Sequence, residues 1–300
     1  MKRFKKILVV LSLQEDDEAL LRWAGLIASY GATEAIHCVH SWVPLGIPEE
    51  LKARYPWLLE PGEQLMHERL AASVARYLRA PSGVTLSTKI QQGNPLGDAL
   101  QIADEGDFDL IIVARQIEGA ALAEKLARKA PCSVLAVPTG TPVRCQRILG
   151  AVDFSDYCRL AVDSAAALAR ASGATLTLFH AYRLAWGHHR AMIASEQMAT
   201  DMRTHYLSQL AKLSVELAGS GLDVGTLVAS APLPASSIAQ QVTAGSYDLV
   251  VIGCRGHHAI YATLLGSTAE SILHECPCAV LAVKAKGTGS SLLQQLRLSR

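Results

Sequence analysis

Apolar residues along this chain fall into short continuous runs, separated by stretches in which apolar positions recur every three or four residues. The run ILVVLSL (7–13) leads into a helix-period segment over about 16–29. The run RILGAVD (147–153) leads into another over about 156–171, where Leu160, Ala161, Ser164, Ala165 and Leu168 share one face. Gly31 and Gly173 follow these segments, where a left-handed residue commonly ends a helix. Each unit continues in the same order. A second strand (33–42; 175–184) is followed by a long helix (about 62–79; 195–218), a third strand and a short helix. A fourth strand (109–113; 248–252), a further helix and a fifth strand (133–137; 279–283) complete it.

The order repeats because the sequence repeats. KKILVVLSL (5–13) returns as QRILGAVDF (146–154), FDLIIVA (108–114) as YDLVVIG (247–253), and APCSVLAVP (130–138) as CPCAVLAVK (276–284). The join lies near PTGTPVRC (138–145), rich in turn-forming residues. The expected domains are therefore 1–142 and 143–286, with a tail at 287–300 whose leucines 292, 293 and 296 suit a short amphipathic helix. Strands this uniformly apolar, alternating with helices, predict an α/β fold: two tandem, doubly wound, Rossmann-like parallel sheets of five strands each. Such sheets bind ligands at the carboxyl ends of their strands, where strand order reverses.

Composition narrows the function classes. Half the 300 residues are hydrophobic and 18% are charged, enough apolar surface for a large core. A formal net charge of +1 argues against a nucleic acid or acidic-membrane partner. No apolar run reaches the roughly 18–20 residues of a membrane span. MKRFKKILVVLSL resembles a secretory leader only superficially, since QEDDE follows at once with no small-residue cleavage site. Seven cysteines scattered through aliphatic segments suit reduced thiols and a cytoplasmic protein. HECPC (274–278) has metal-ligating residue types but no strong zinc spacing. His37, His40 and His180 at the second strands read as structural. The pairs His188-His189 and His257-His258 are conspicuous; His257, directly after Gly256, reads either as a phosphate contact or as half of a solvated loop pair. A G-x4-G-K-S/T loop, a G-x-S-x-G elbow and an H-E-x-x-H helix are all missing, so no catalytic residue is nominated.

The copies differ most after the fourth strand. The second is seven residues longer between matching landmarks (248 to 277 against 109 to 131), and the extra residues fall in GCRGHHAIYATLLGS (253–267). Its sister folds without these glycines, so they answer to something other than the fold. Gly253 and Gly256 allow a backbone to approach a ligand closely. Gly266 introduces a helix near Thr268, whose N-terminus suits an anion, with hydroxyls from Ser267 and Thr268. Ser267-Thr-Ala-Glu270 also spells a capping box, in which Ser267 only caps its own helix.

The spacing G-x2-G-x9-G-S at Gly253, Gly256, Gly266 and Ser267 resembles the ATP-binding signature of the universal stress proteins, and the likeness covers both halves (roughly 1–138 and 146–284). The resemblance implies an adenine nucleotide alpha hydrolase-like fold paired as an intramolecular pseudo-dimer through the fifth strands, with a further homodimer open. It implies ATP in the second domain, with AMP or ADP as alternatives and Mg2+ as a companion. Asp153 would face ribose and phosphates, Ala151 and Val152 would line the adenine, the Ala181 backbone would recognise the base, and Ile252 would pack on the ring. Arg255 and His257, between the glycines, join the set. In the first copy Ser12 replaces the aspartate and the acidic run 15–18 would repel a triphosphate, so that half is expected to be degenerate. The implied role is a cytoplasmic stress-response regulator that senses nucleotide for an unidentified protein partner. A nucleotide-independent interaction module and a weak ATPase are the alternatives.

Overall fold

A computed structural model of the chain describes residues 3–44, 46, 48–55, 62–115, 121–155, 158–183, 192–219, 221–254 and 265–286. The first half runs β1 (Lys6–Leu11), α1 (Asp17–Ser29), β2 (Ala35–Trp42), α2 (Glu49–Arg54), α3 (Glu63–Tyr77), β3 (Thr85–Gln92), α4 (Pro95–Glu105), β4 (Leu110–Arg115), α5 (Ala121–Lys129) and β5 (Ser133–Pro138). The second runs β6 (Arg147–Ala151), α6 (Cys158–Ser172), β7 (Thr175–Tyr182), α7 (Met192–Ala218), β8 (Val224–Ser230), α8 (Pro234–Gly245), β9 (Leu249–Gly253), α9 (Ser267–Glu275) and β10 (Ala279–Val283). The predicted α/β alternation is present in both halves. Gly31 and Gly173 take positive φ (95° and 72°) after α1 and α6, as a left-handed stop requires.

The two five-stranded sheets join through their fifth strands, as the resemblance implied. Ten strands lie in the order β3-β2-β1-β4-β5-β10-β9-β6-β7-β8, parallel within each half. The seam between halves is antiparallel, with Leu135 opposite Leu281, Val134 opposite Ala282 and Ala136 opposite Val280. Both fifth strands are buried along their whole length, so their backbone edges must find partners, and each is the other's. The side chains alternate across the sheet. Ile7, Val9, Ile148, Leu176 and Leu178 face α1, α3, α6 and α7. Leu8, Val10, Leu149, Phe179, Val250 and Ile252 face α4, α5, α8 and α9. All seven cysteines are buried, and none is in a disulfide.

Matching residues close each unit. Asp109 and Asp248, at the same place in the two repeats, each accept backbone N–H bonds from the start of the neighbouring strand: Lys5 and Lys6 at 3.0 and 2.9 Å, Gln146 and Arg147 at 2.9 and 3.0 Å. Each aspartate also meets a cation from beyond the other half's fifth strand or the linker. Lys286 Nζ lies 2.8 Å from Asp109, and Arg144 Nε pairs with Asp248. Of these two pairs, Asp109–Lys286 joins the halves, while Asp248–Arg144 ties the linker end to its own half.

Candidate functional site

In the second half, strand order reverses between β6 and β9, and the loops leaving their carboxyl ends carry the sequence-nominated residues. Ala151 ends β6 and Ala181 lies near the end of β7; both are half-buried and pack on the core beneath α8 and α9, as does buried Ile252 at the end of β9. These three small or aliphatic side chains therefore share one face. Val152 departs from the expectation. Its side chain, one step further along the strand, points to the opposite core, and only its backbone reaches the rim. The Val152 N–H bonds Phe179 O at 2.8 Å, and its carbonyl meets His180 Nδ1 at 2.7 Å.

Asp153 is exposed at the rim, and its Oδ1 accepts from both the N–H and the hydroxyl of Ser155 (3.0 and 2.7 Å). This turn lets Phe154 take φ 59°. Part of the work of Asp153 is thus to shape its own loop. The first half solves the same problem differently. Leu13 has φ 60° at the matching position, but the carboxylate holding that loop is Asp17, in the first turn of α1. It accepts from Ser12 N–H (2.9 Å), Ser12 Oγ (3.2 Å) and Leu13 N–H (2.8 Å). Asp17 is buried, so the acidic run 15–18 does not present four carboxylates to the rim as anticipated; one of them is turned into the loop.

Gly253 is half-buried at the end of β9, and Cys254 follows with its N–H on Val283 O at 3.2 Å. Gly266 N–H bonds Cys254 O at 3.0 Å, tying together the two ends of the glycine-bearing loop. Arg255, Gly256 and His257 lie outside the described residues, as do His188, His189, His258 and the tail from 287. The helix α9 starts one residue earlier than predicted, and this overturns the capping-box alternative. Gly266 is the N-cap, in extended conformation (φ −63°, ψ 142°), and among the described residues no side chain caps the helix. Ser267 and Thr268 are instead the first two helical residues, both exposed, so their hydroxyls stand beside N–H groups that no side chain among the described residues caps. An uncapped helix start with two exposed hydroxyls can bind an anion.

Sequence reasoning missed the support behind this rim. Phe154, His180, Tyr182 and Tyr206 form one aromatic cluster, with centroid separations of 4.8 Å (Phe154–His180), 4.3 Å (His180–Tyr206) and 5.1 Å (Tyr182–Tyr206). It clamps the loop carrying Asp153 from the α7 side. The alternation of His180 and Tyr182 along β7 was a usable signal, but their partner Tyr206 lies in a helix with no marked apolar stripe. His40 of the first half repeats the role of His180, with Nδ1 3.0 Å from Leu11 O, so both histidines tie the first two strands of their units together. A shallow groove of about 420 Å³, lined by Arg147, Thr175, Thr177, Asp223 and Gly225, sits at the amino ends of β6, β7 and β8, away from the rim. Among the described residues, no three His, Cys, Asp or Glu side chains come together as a metal site. Nor is any helix among them long and apolar enough to cross a membrane.

Comparison with known proteins agrees with this architecture. The model of the universal stress protein family matches residues 3–138 and again 145–284. A Thermus aquaticus protein, the universal stress protein in the QAH/OAS sulfhydrylase 3' region, is 31% identical over 138 residues, covering 46% of this chain and 97% of its own. The crystal structure of a universal stress protein from Archaeoglobus fulgidus DSM 4304 superposes with a TM-score of 0.62 at 17% identity, covering 94% of this chain and 96% of that one. A universal stress protein solved in complex with cAMP aligns with 46% of this chain and 97% of its own, at 23% identity and a TM-score of 0.35. Two matches in tandem, joined by one seam, account for nearly the whole described chain: it belongs to the universal stress protein family.

Proposed function

We propose that the second half of this protein is an adenine-nucleotide sensor and the first half its structural partner, within the stress-response role that family membership supports. ATP is the favoured ligand. The units are read as 1–142 and 143–286, with 287–300 a tail, and the setting as cytoplasmic. The observation that carries the reading is the uncapped start of α9, with Ser267 and Thr268 exposed, at the end of a glycine loop the first half lacks. Phosphates would be held there by helix N–H groups and hydroxyls. Ala151, Ala181 and Ile252 leave room for a flat base at the strand ends, where β6 and β7 present alanines, the larger Leu149 and Phe179 of that face lying two residues earlier on each strand. Asp153 is the residue to carry Mg2+ beside the phosphates, since an exposed carboxylate next to an anion is otherwise repelled.

Equilibrium titration with ATP, ADP, AMP and cAMP tests the proposal. One ATP per chain is expected. Ser267→Ala should weaken binding at least fivefold while changing stability by less than about 0.5 kcal/mol, because Ser267 caps nothing; a true cap would cost about 1 kcal/mol. Absence of binding, a stoichiometry of two, or a Ser267→Ala loss confined to stability would overturn it.

A further inference from the structure

The two halves differ at a second place, where the first has Ala130-Pro-Cys132 and the second Cys276-Pro-Cys278. The fold therefore does not need a thiol at 276. In the structure the Cys276 and Cys278 sulfurs are 3.7 Å apart, both buried. Against them lies Arg115, the last residue of β4 in the other half, itself only 4% exposed. Its guanidinium donates to His274 O (3.0 Å), to Cys276 O, and to Cys278 O (3.4 Å). Capping the carbonyl end of α9 explains the two Nη groups. It leaves the buried Nε of Arg115 without a hydrogen-bond partner among the described residues, and it gives no reason for the second thiol. A buried guanidinium needs a counter-charge, and the groups that favour its charged form are, in order, Cys276, Cys278 and Glu124.

We propose that Cys276 and Cys278 are a peroxide-oxidisable dithiol, with Arg115 reaching across from the first half as its counter-charge. The other cysteines supply the contrast. Burial pushes the thiols of Cys38 and Cys132 up to about 12 and those of Cys145 and Cys158 to about 11, so they stay protonated and inert. Cys276 moves down instead, through the hydrogen bond from the Cys278 thiol first, with the Cys278 backbone N–H and then the charge of Arg115 adding to it against burial. Cys278 is raised in turn, by the same hydrogen bond and by burial. In the reaction the Cys276 thiolate attacks one oxygen of hydrogen peroxide. The O–O bond breaks, hydroxide leaves and takes up a proton to become water, and Cys276 becomes a sulfenic acid. Cys278 then attacks the Cys276 sulfur; the S–O bond breaks and the hydroxyl leaves as water with the Cys278 proton. Two thiols and one peroxide give one disulfide and two waters. The sulfurs need only close from 3.7 Å to about 2.05 Å. A peroxide little larger than water is the oxidant suited to a buried pair.

The test uses the full-length reduced protein, treated with hydrogen peroxide, then denatured and alkylated. The expected result is a loss of two alkylatable thiols, mapped by digestion to a disulfide in the peptide holding both Cys276 and Cys278, and restored by dithiothreitol. Cys278→Ser should stop at a sulfenic acid on Cys276 that dimedone traps. Cys276→Ala, which copies the first half and so should fold, should abolish both products. Arg115→Gln should slow oxidation at least fivefold. Full alkylation of both cysteines after peroxide, oxidation that survives Cys276→Ala, or an unchanged rate in a folded Arg115→Gln protein would overturn the assignment.

Discussion

Asp17 is a carboxylate kept for its geometry at an electrostatic cost. Burial raises its pKa above the ordinary 3.8, while the bonds from Ser12 N–H, Leu13 N–H and Ser12 Oγ work in the other direction without cancelling it. A raised folded-state pKa means that the native state holds its proton to higher pH than the unfolded chain does. The favourable contribution is therefore full below 3.8 and is lost as pH rises through the folded value. His40 is the charged neighbour that opposes the shift. Urea unfolding of wild type and Asp17→Asn across this window should show the wild-type advantage shrinking as pH rises, then levelling. A difference that is flat or grows with pH would contradict the burial argument. Asp17→Ala, tested at pH 7, should cost about 1–3 kcal/mol, since two backbone N–H groups lose their acceptor.

Helices and strands were largely legible in the sequence because their causes are local. Apolar runs gave every strand nominated from a quoted run, and a glycine at positive φ ended α1 and α6 as expected. The repeat also marked Asp109 and Asp248, although their bonds to neighbouring strands could not be read from spacing. The start of α9 was not legible to the residue. Ser267 and Gly266 are both acceptable N-caps by type, and only the backbone conformation chose the glycine. Nor was the clamp of Tyr206 on Phe154, or Arg115 on Cys276, because each joins elements distant in sequence. Close approach of elements is likewise invisible in sequence, and Gly25 in α1 is the sharpest instance. A Cβ there would sit 2.7 Å from Arg79 O, beyond the end of α3. Gly25→Ala gains about 1 kcal/mol in helix propensity but must push backbone apart, an overpacking cost of about 1–3 kcal/mol. It should destabilise on balance. Gly97→Ala in α4, where a Cβ meets nothing within 4 Å, should stabilise by up to about 1 kcal/mol. Chemical denaturation of the two variants should give opposite signs, and a shared sign would refute the packing explanation.

At the scale of the molecule, the seam decides how the halves behave. Because β5 and β10 occupy each other's edges, neither fifth strand is open to a second copy, and the sheet's outer edges are β3 and β8. Contacts on either side knit the same line. Arg3 donates to Ser164 Oγ (2.7 Å) and Lys284 O (2.8 Å), and Lys284 Nζ donates to Arg128 O and Ala130 O (3.0 Å each). The first half thus lends α9 and β10 a wall as well as a charge, which is a physical reason to retain a half without the glycine loop. If the seam is structural in this sense, damage in one half must be felt in the other. Leu281, opposite Leu135 and 1% exposed, is the residue to test. Leu281→Ala should cost about 2–5 kcal/mol as a large-to-small core change. Hydrogen exchange read by mass spectrometry should then show β1 and β2 losing protection by the same free energy as β6 and β7, since one cooperative unit opens as a whole. Loss confined to peptides of the second half would mean that two domains merely touch, and that the first half could not steady the rim where the nucleotide is expected.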